Sequence, residues 1–589
     1  MCQNRHTLLS VLLALLSLVL LGVVMLTYEN EYLFRIQEQS LFLYTLLFFK
    51  LCMSEVGGLL IWLGCYFTQY LYHTWIGASI LLLLWTLLVW MLKKAFNIPS
   101  VLGVLAIIPI AILSITIFHL GYWIFYLKMH GYFFASTLGT ILVVSEVWLY
   151  RFIPVKYHIR TLFIIIITFI SYPLFGCYAL CAALIMGIIS WRAEIQDKWH
   201  CLLDSIAAIL SILAIPLIYY NTLYHSTNIN DLWFAGIPRF ETAERVCTPY
   251  YMPYLLLILC LIAFALLYKK HRTITIKRPL AWSILQITIY TIICIFTYLN
   301  WYKDKEFHQE LKMYRNMESM DWDSVLKTMS EAKTPTRFMW MMNNLALFRL
   351  DRQGDEMYHY RYGNKLNVAP FEVRMLQIGG KLLYLNYGQS NFCHRWCIEA
   401  GVEFGWRIEY LKCIVTSLLM NGETEAAQKY LHILHHTKYY KIWMPEGIDT
   451  MKRLMSEDDQ LTSDNMLAEA FLLNHFANRD SQDPVTQEAS LMFALQSCNK
   501  EVFKKRLQHA IVLQPQRHIP LHCQEALCVY NLVDSFNVDM NIKKNYEAFM
   551  SSASQLRGMD MKQAKAAMYE RYGNTFFYDY YFNNYQQPQ

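Results

Sequence analysis

The amino-acid sequence predicts an all-α protein, with a polytopic helical membrane domain over residues 1–300 and a soluble helical-repeat domain over residues 301–589. The first part consists mainly of apolar runs that approach the ~20 residues needed to cross a bilayer. It carries 18 Lys/Arg and 11 Asp/Glu, whereas the second part carries 33 and 34, spread evenly. Such a balanced surface, with no basic stripe, argues against nucleic-acid binding.

The apolar runs predict about eleven membrane spans, because each is long enough for a full or a short crossing. The first run lacks a small-x-small cleavage site, so we expect an uncleaved anchor. The predicted spans are Leu8–Leu26, Leu41–Met53, Gly57–Leu71, Trp75–Leu92, Val101–Leu120, Tyr132–Tyr150, two legs of Thr161–Trp191 hinged at Pro173–Gly176, Leu202–Tyr220, Tyr251–Leu267 and Leu280–Asn300.

The orientation of these spans follows from the basic residues. Five of them lie in the segment Lys269–Arg278, between the last two spans. Lys and Arg are retained on the cytoplasmic side during insertion, so this segment and the N-terminus are predicted to be cytoplasmic. Thirteen of the 18 basic residues of the membrane part then lie on that side. We therefore expect a multi-pass membrane protein whose C-terminal domain lies outside the cytoplasm.

The second part, residues 301–589, is called the tail below. Its sequence predicts a series of amphipathic helices paired through tight turns, with breaks at Gly354 and at Asn421-Gly422. This pattern resembles tetratricopeptide-type repeats, and an unspecialised solenoid of helical hairpins fits it equally well. The aromatic segment Thr575–Tyr585 is predicted to dock onto a surface, because exposed aromatic clusters are unusual.

The cysteines do not indicate a familiar site. The chain has 15 cysteines and no C-x-x-C pair, which argues against zinc-finger and thioredoxin-like motifs. Cys393 and Cys397 lie one helical turn apart, as on a packed helix face. We expect buried free thiols there.

Glu29 and Glu31 are the first candidates for chemistry, because they follow the first span directly at the predicted outer boundary. Carboxylates at this place could bind a divalent cation such as Mg or Mn, or could activate an incoming hydroxyl. The alternative is a solvated acidic flank that keeps the first span in position.

The second candidate is the outer loop Asn221–Tyr250, since loops of about 30 residues tend to be functional or disordered. Its aromatic and Gly/Pro content argues against disorder, and the alternative is a passive connector. The loop's polar and charged residues include His225, Asp231, Arg239, Glu241, Glu244 and Arg245.

This layout resembles the GT-C class of lipid-carrier-dependent glycosyltransferases, which combine many spans with acidic residues in the first outer loop and in a later one. The resemblance implies catalytic roles for Glu29, Glu31, Asp231, Glu241 and Glu244, with Glu29 and Glu31 as the metal ligands. A second resemblance is to O-antigen ligases, which use Arg and His in an outer loop; here His225, Arg239 and Arg245 would bind substrate. The architecture also resembles uncharacterised bacterial polytopic proteins with such a tail.

These resemblances imply an enzyme, a glycosyl or oligosaccharyl transferase. It would move a sugar or glycan from a membrane-embedded polyprenyl-phosphate carrier to an extracytoplasmic protein or glycan acceptor. The alternative from another class is a non-catalytic membrane-anchored scaffold whose tetratricopeptide-like tail binds periplasmic partners. A transporter is less favoured, because the sequence contains no visible inverted repeat.

Phosphatase fusions after Lys270 and after Tyr585 test the predicted topology. A reporter that is active only outside the cytoplasm should be silent at the first site and active at the second, because the last span lies between them. The opposite pattern of activity would reverse the orientation.

Overall fold

The structure is a computed structural model that describes residues 2–154, 158–192, 198–225, 227–240, 247–269, 279–363, 375–455, 468–556 and 558–584. Within these ranges every regular element is helical and no β-strand occurs. The predicted all-α class is therefore confirmed.

Twelve α-helices precede residue 301 in the described ranges, and 3-10 turns extend or link several of them. The α-helices are α1 Cys2–Thr27, α2 Asn30–Glu38, α3 Leu46–Cys52, α4 Gly58–Thr68, α5 Thr74–Ala95, α6 Ile108–Phe118, α7 Tyr132–Tyr150, α8 Ile159–Phe175, α9 Cys177–Ser190, α10 Lys198–Thr222, α11 Met252–Leu266 and α12 Pro279–Leu299. The 3-10 turns are Gln69–Tyr72, Ser100–Ile107, Gly121–Phe125, Ile229–Asp231 and Thr248–Tyr250.

The tail contains a further series of mostly short helices. They are α13 Lys305–Glu318, α14 Trp322–Glu331, α15 Arg337–Arg349, α16 Gln353–Glu356, α17 Met375–Asn386, α18 Ser390–Phe404, α19 Ile408–Met420, α20 Thr424–His435, α21 Ile448–Lys452, α22 Ala468–Asn478, α23 Pro484–Gln496, α24 Lys500–Leu513, α25 Leu521–Val529, α26 Met540–Gln555, α27 Met561–Tyr572 and α28 Phe576–Asp579. Two 3-10 turns, Met357–His359 and Val533–Ser535, and a closing π-helical turn, Tyr580–Asn584, complete the set.

Seven helices of the described chain are long and apolar enough to cross a membrane. They are His6–Thr27, Thr74–Ala95, Ser100–Phe118, Tyr132–Tyr150, Lys198–Thr222, Thr248–Leu266 and Leu280–Leu299. The helices α8 and α9 are apolar but shorter, and the chain breaks between them at Gly176, within the predicted hinge. The predicted total of about eleven spans, which counts such short crossings, stays a prediction.

Contacts divide the chain into two compact units. The first contains residues 1–303 together with two tail segments, residues 400–411 and 429–443. The second contains residues 304–399, 412–428 and 444–589. The first unit therefore includes short pieces of chain that lie far beyond the predicted boundary at residue 300.

In the first unit, α1 and α12 pack side by side and run parallel. Near their N-terminal ends, His6 Nδ1 lies 3.3 Å from Ser283 Oγ. Just past their C-terminal ends, the Trp301 indole donates a hydrogen bond to Glu29. The N-terminal ends of both helices therefore lie at one end of the unit, and Glu29 and Trp301 lie at the other.

Close packing of α4 against the start of α7 depends on two glycines. A Cβ on Gly64 would overlap the Gly131 carbonyl, and a Cβ on Gly131 would overlap the Cys65 backbone nitrogen. Gly131 also has φ +67°, a left-handed conformation that favours glycine. Small residues of this kind let membrane helices approach closely.

In the second unit, side-chain caps start several helices. The Asp304 carboxylate accepts from the backbone N–H of Glu306 at 3.1 Å, and Asp321 does the same for Ser324 at 3.2 Å. Helices then pack on their sequence neighbours, as in α13–α14–α15 and α22–α23–α24. Near the end of the described chain, Phe576 and Phe577 are fully buried, so the predicted docking is confirmed for the start of the aromatic segment, and Tyr585 lies outside the described residues.

Substituting Gly64 with Ala should lower the thermal stability of the protein in detergent, by an amount equivalent to about 1–3 kcal/mol, because the added methyl meets backbone. Gly22→Ala is the matched control: its Cβ would meet only the tip of the Leu82 side chain, at 3.1 Å. Equal melting temperatures for the two variants would contradict the close approach of α4 and α7.

Candidate functional site

Glu29 lies in the turn between α1 and α2 and is almost fully buried, at 2% exposure. Its carboxylate accepts a hydrogen bond from Trp301 Nε1 at 2.7 Å. The Trp301 ring stacks on Phe118, with ring centroids 4.5 Å apart. Glu29 is therefore held where the ends of α1, α6 and α12 meet.

Glu31, in the first turn of α2, is less buried than Glu29 and accepts a hydrogen bond from the Asn30 side chain at 3.1 Å. Among the described residues, neither glutamate belongs to a set of three Cys, His, Asp or Glu ligands with closely spaced donor atoms. Binding of Mg or Mn at Glu29 and Glu31 stays a prediction.

The described part of the loop Asn221–Tyr250 is packed onto the helices around it. The Cys177 N–H donates to the Ala235 carbonyl at 2.8 Å, and the Tyr172 hydroxyl donates to the Leu232 carbonyl at 2.9 Å. These bonds fix the loop to the hinge between α8 and α9. Further along, Phe240 is fully buried. The described part of the loop is therefore packed in place against the helices around it.

The polar residues predicted for this loop have different surroundings. Asp231 and Arg239 form an ion pair in which the arginine side chain is 56% exposed. His225 is exposed. The other three predicted residues, Glu241, Glu244 and Arg245, lie outside the described residues.

The start of α2 and the loop before α11 meet around the end of α6. The Tyr32 hydroxyl, from α2, donates to the Ile117 carbonyl at 2.7 Å. On the next turn, the His119 ring lies 4.7 Å from the Tyr250 ring at the end of the later loop. Burial, and after it the neighbouring Tyr132 and Glu29, raises the pKa of Tyr32 well above its ordinary value. Tyr32 is therefore a neutral donor at physiological pH.

A buried charged network, which sequence reasoning did not identify, joins α2 to the tail segment 400–411. Arg35 and Glu409 are each 1% exposed, and Arg35 Nη1 lies 3.8 Å from Glu409 Oε2. Glu38, fully buried, lies 4.0 Å from the same guanidinium nitrogen. Two carboxylates thus surround one buried cation, as a charge in a low-dielectric interior requires.

Gln39 continues this network, since its amide donates to Glu409 and accepts from Arg407. The Arg407 guanidinium also donates to the carbonyls of Phe125, at 3.1 Å, and Leu127, at 2.9 Å. From the second tail segment, the Tyr440 hydroxyl hydrogen-bonds Glu38 at 2.6 Å. The network is multiply bonded and joins α2 to both tail segments, and we refer to it as the structural lock.

His130 adds an uncharged group beside this lock. Burial, with the nearby Arg407 charge, lowers the pKa of His130 to about 4. Gly405 packs directly on the imidazole, with no room for a Cβ. At neutral pH the ring is therefore neutral, and no second positive charge faces Arg407.

The first unit also contains an apolar groove of about 480 Å³ between α1, α6 and α12. Its walls are formed by Ser17, Leu20, Leu21, Val24, Ile107, Ile110, Ala111, Ser114, Tyr290, Ile293, Cys294 and Thr297. One end is lined by Tyr28, Tyr298, Trp301 and Lys303, next to Glu29. The Lys303 ammonium lies 3.9 Å above the Tyr298 ring. The groove is thus apolar along its length and cationic at one end.

Sequence reasoning singled out Glu29 but did not identify Lys303, Trp301 or the groove. The available signal was the run Asn300-Trp301-Tyr302-Lys303, an aromatic and basic flank after the last span. For the buried lock, the signal was the occurrence of Arg35 and Glu38 in a short amphipathic segment.

Fold and site together define an all-helical protein with apolar helices long enough to span a membrane and a groove between three of them. The chain belongs to DUF6057, a family of unknown function, whose model matches residues 5–583. Comparison with curated proteins and comparison with solved structures each gave no match.

Substituting Glu409 with Gln should lower the free energy of unfolding by about 3 kcal/mol, because breaking a buried pair leaves its partner charge uncompensated. Guanidinium unfolding in detergent measures this change. The control is Glu399→Gln, which disrupts the exposed pair with Arg395 and should cost less than about 1 kcal/mol. Similar losses in the two variants would contradict the lock.

Proposed function

We propose that this chain is a membrane transferase that moves a sugar or glycan from a polyprenyl-phosphate carrier to an acceptor outside the cytoplasm. The observation that carries the proposal is the apolar groove with Lys303 at one end. A long apolar chain fits its walls, and an ammonium group at the mouth suits a phosphate.

The position of α12 supports access from the bilayer. Only 11% of the residues in the apolar stretch of α12 are buried, so most of the surface of this helix is available to lipid. A carrier could enter the groove sideways, beside α12, without first leaving the membrane. Its phosphate would then lie near Lys303 and Trp301, and thus near Glu29.

The reaction needs a group that takes the acceptor's proton. The acceptor hydroxyl oxygen bonds to the anomeric carbon, the bond from that carbon to the carrier phosphate breaks, and the phosphate leaves with the electron pair. Glu31 is the accessible carboxylate of the pair and is proposed as the base. Glu29 is buried against Trp301 and holds the Trp301 indole in place at the end of the groove.

Arg239 is proposed as a further phosphate contact from the later loop. Its guanidinium is half exposed and pairs with Asp231, a partner that an incoming phosphate could replace. His225, also exposed, would contact the glycan. Glu241, Glu244 and Arg245 keep their proposed roles in the same loop.

Basic groups at the opposite end of the first unit support the proposed orientation. Arg151 donates hydrogen bonds to the carbonyls of Lys94 and Ala95, and the Asn97 side chain donates to the Lys269 carbonyl at 2.9 Å. Lys94, Arg151 and Lys269 therefore cluster together, as expected of a cytoplasmic face. Glu29 would then face the periplasm of a bacterial inner membrane.

A scaffold is the second candidate, favoured by the neighbour-on-neighbour packing of α13–α15 and α22–α24 in the second unit. In that case the tail helices would bind periplasmic partners. The groove and Glu31 would then be dispensable.

Glu31→Gln should reduce glycan transfer by about 10²–10⁴-fold, the contribution of a general base, while thermal stability stays close to wild type. Transfer is scored from the protein and polysaccharide glycan profiles of a null strain that expresses each variant. Normal profiles for Glu31→Gln and for Arg239→Lys would leave the scaffold as the better account.

Ala111→Phe should fill the groove and abolish binding of a short-chain polyprenyl phosphate, measured by native mass spectrometry in detergent. Leu83→Phe is the matched control, because Leu83 is 69% exposed on α5 and lies outside the groove. Val24→Phe, on the opposite wall, serves if Ala111→Phe does not fold. Wild-type binding in both groove variants would contradict the proposal.

A further inference from the structure

Three tail cysteines come together inside the second unit. Cys393 and Cys397, one turn apart on α18, lie beside Cys413 on α19. Their sulfur atoms all lie within 4.8 Å of one another. Cys393 and Cys397 are fully buried, and Cys413 is 5% exposed. All three are free thiols.

This spacing is close to that of a thiolate metal site. In a tetrahedral zinc site with Zn–S bonds of about 2.3 Å, the sulfurs lie roughly 3.8 Å apart. Small side-chain rotations would bring the three sulfurs to that separation. A disulfide would join only two of them and leave the third thiol alone.

The surroundings fit a metal in two respects. Ser417, one turn after Cys413 on α19, is fully buried, and its hydroxyl hydrogen-bonds the Cys393 sulfur. It is placed to act as a fourth ligand or to hold a ligand water. Lys381, on α17, is 2% exposed and lies near Cys393 and Cys413. Its charge would offset the net negative charge of a zinc ion bound by three thiolates.

We propose that Cys393, Cys397 and Cys413 bind one zinc ion, which fixes α18 to α19. Because the three ligands are buried without open access for a substrate, we assign the site a structural role, with Ser417 or a water in the fourth position. The sequence shows no C-x-x-C pair at this site, because two of the ligands are four residues apart and the third is on the next helix.

The test begins with the wild-type full-length chain, purified in detergent and freed of any affinity tag. We expect one zinc per chain by elemental mass spectrometry, and protection of three thiols from alkylation that ends when a chelator is added. Replacement of zinc by cobalt should give near-ultraviolet sulfur-to-metal charge-transfer absorption, which reports thiolate ligation directly.

The variants identify the ligands. Cys397→Ser and Cys413→Ser should each lose the zinc and weaken the cobalt absorption, whereas Cys523→Ser should retain both. Cys523 is an equally buried tail cysteine outside the cluster, so it controls for the loss of any buried thiol. The wild-type measurements stand even if a ligand variant does not fold.

Two results would overturn the proposal. Wild-type protein with no zinc, no zinc uptake and all three thiols reactive after denaturation would establish a packed thiol cluster only. A metal-free protein that has lost two thiols, regained on reduction, would establish a disulfide within the cluster.

Discussion

The burial of Arg35 is the constraint on which the first unit depends. A guanidinium at 1% exposure needs carboxylates around it, and Glu38 lies on the same helix. A second carboxylate, Glu409, comes from the tail, and with it comes a second buried cation, Arg407. These charges, together with the Tyr440 hydroxyl, connect two tail segments to α2 within the first unit.

The proposed site is built on the same framework. Because α2 is locked, the turn that carries Glu29 and Glu31 has a fixed position at the end of α1. The stacking of Trp301 on Phe118 then sets α12 relative to α6, and the groove is the space that remains beside α1. The later loop reaches this region through Tyr250, which packs on His119. Fixed side chains at one end and a largely unburied α12 are what the proposed lipid-binding groove needs.

Local features of the fold could be predicted from sequence because they follow from local chemistry. Long apolar runs predict the helices that are long enough to span a membrane, and Pro173 followed by Gly176 predicts the break between α8 and α9. Pairings between distant residues could not be predicted in this way. Gln39 and Glu409 are 370 residues apart, and no periodicity relates them. The groove and the cluster at Cys413 likewise arise from tertiary packing, so only the pair Cys393–Cys397 could be recognised in the sequence.

The interleaving of the two units has a consequence for biosynthesis. Ribosomes deliver the chain from the N-terminus, so α1 to α12 emerge well before residues 400–443 exist. During that interval Arg35 and Glu38 lack the contacts that Arg407, Glu409 and Tyr440 later supply. Final packing around α2 therefore waits for segments made late, and a chain that ends before residue 407 lacks both Arg407 and Glu409.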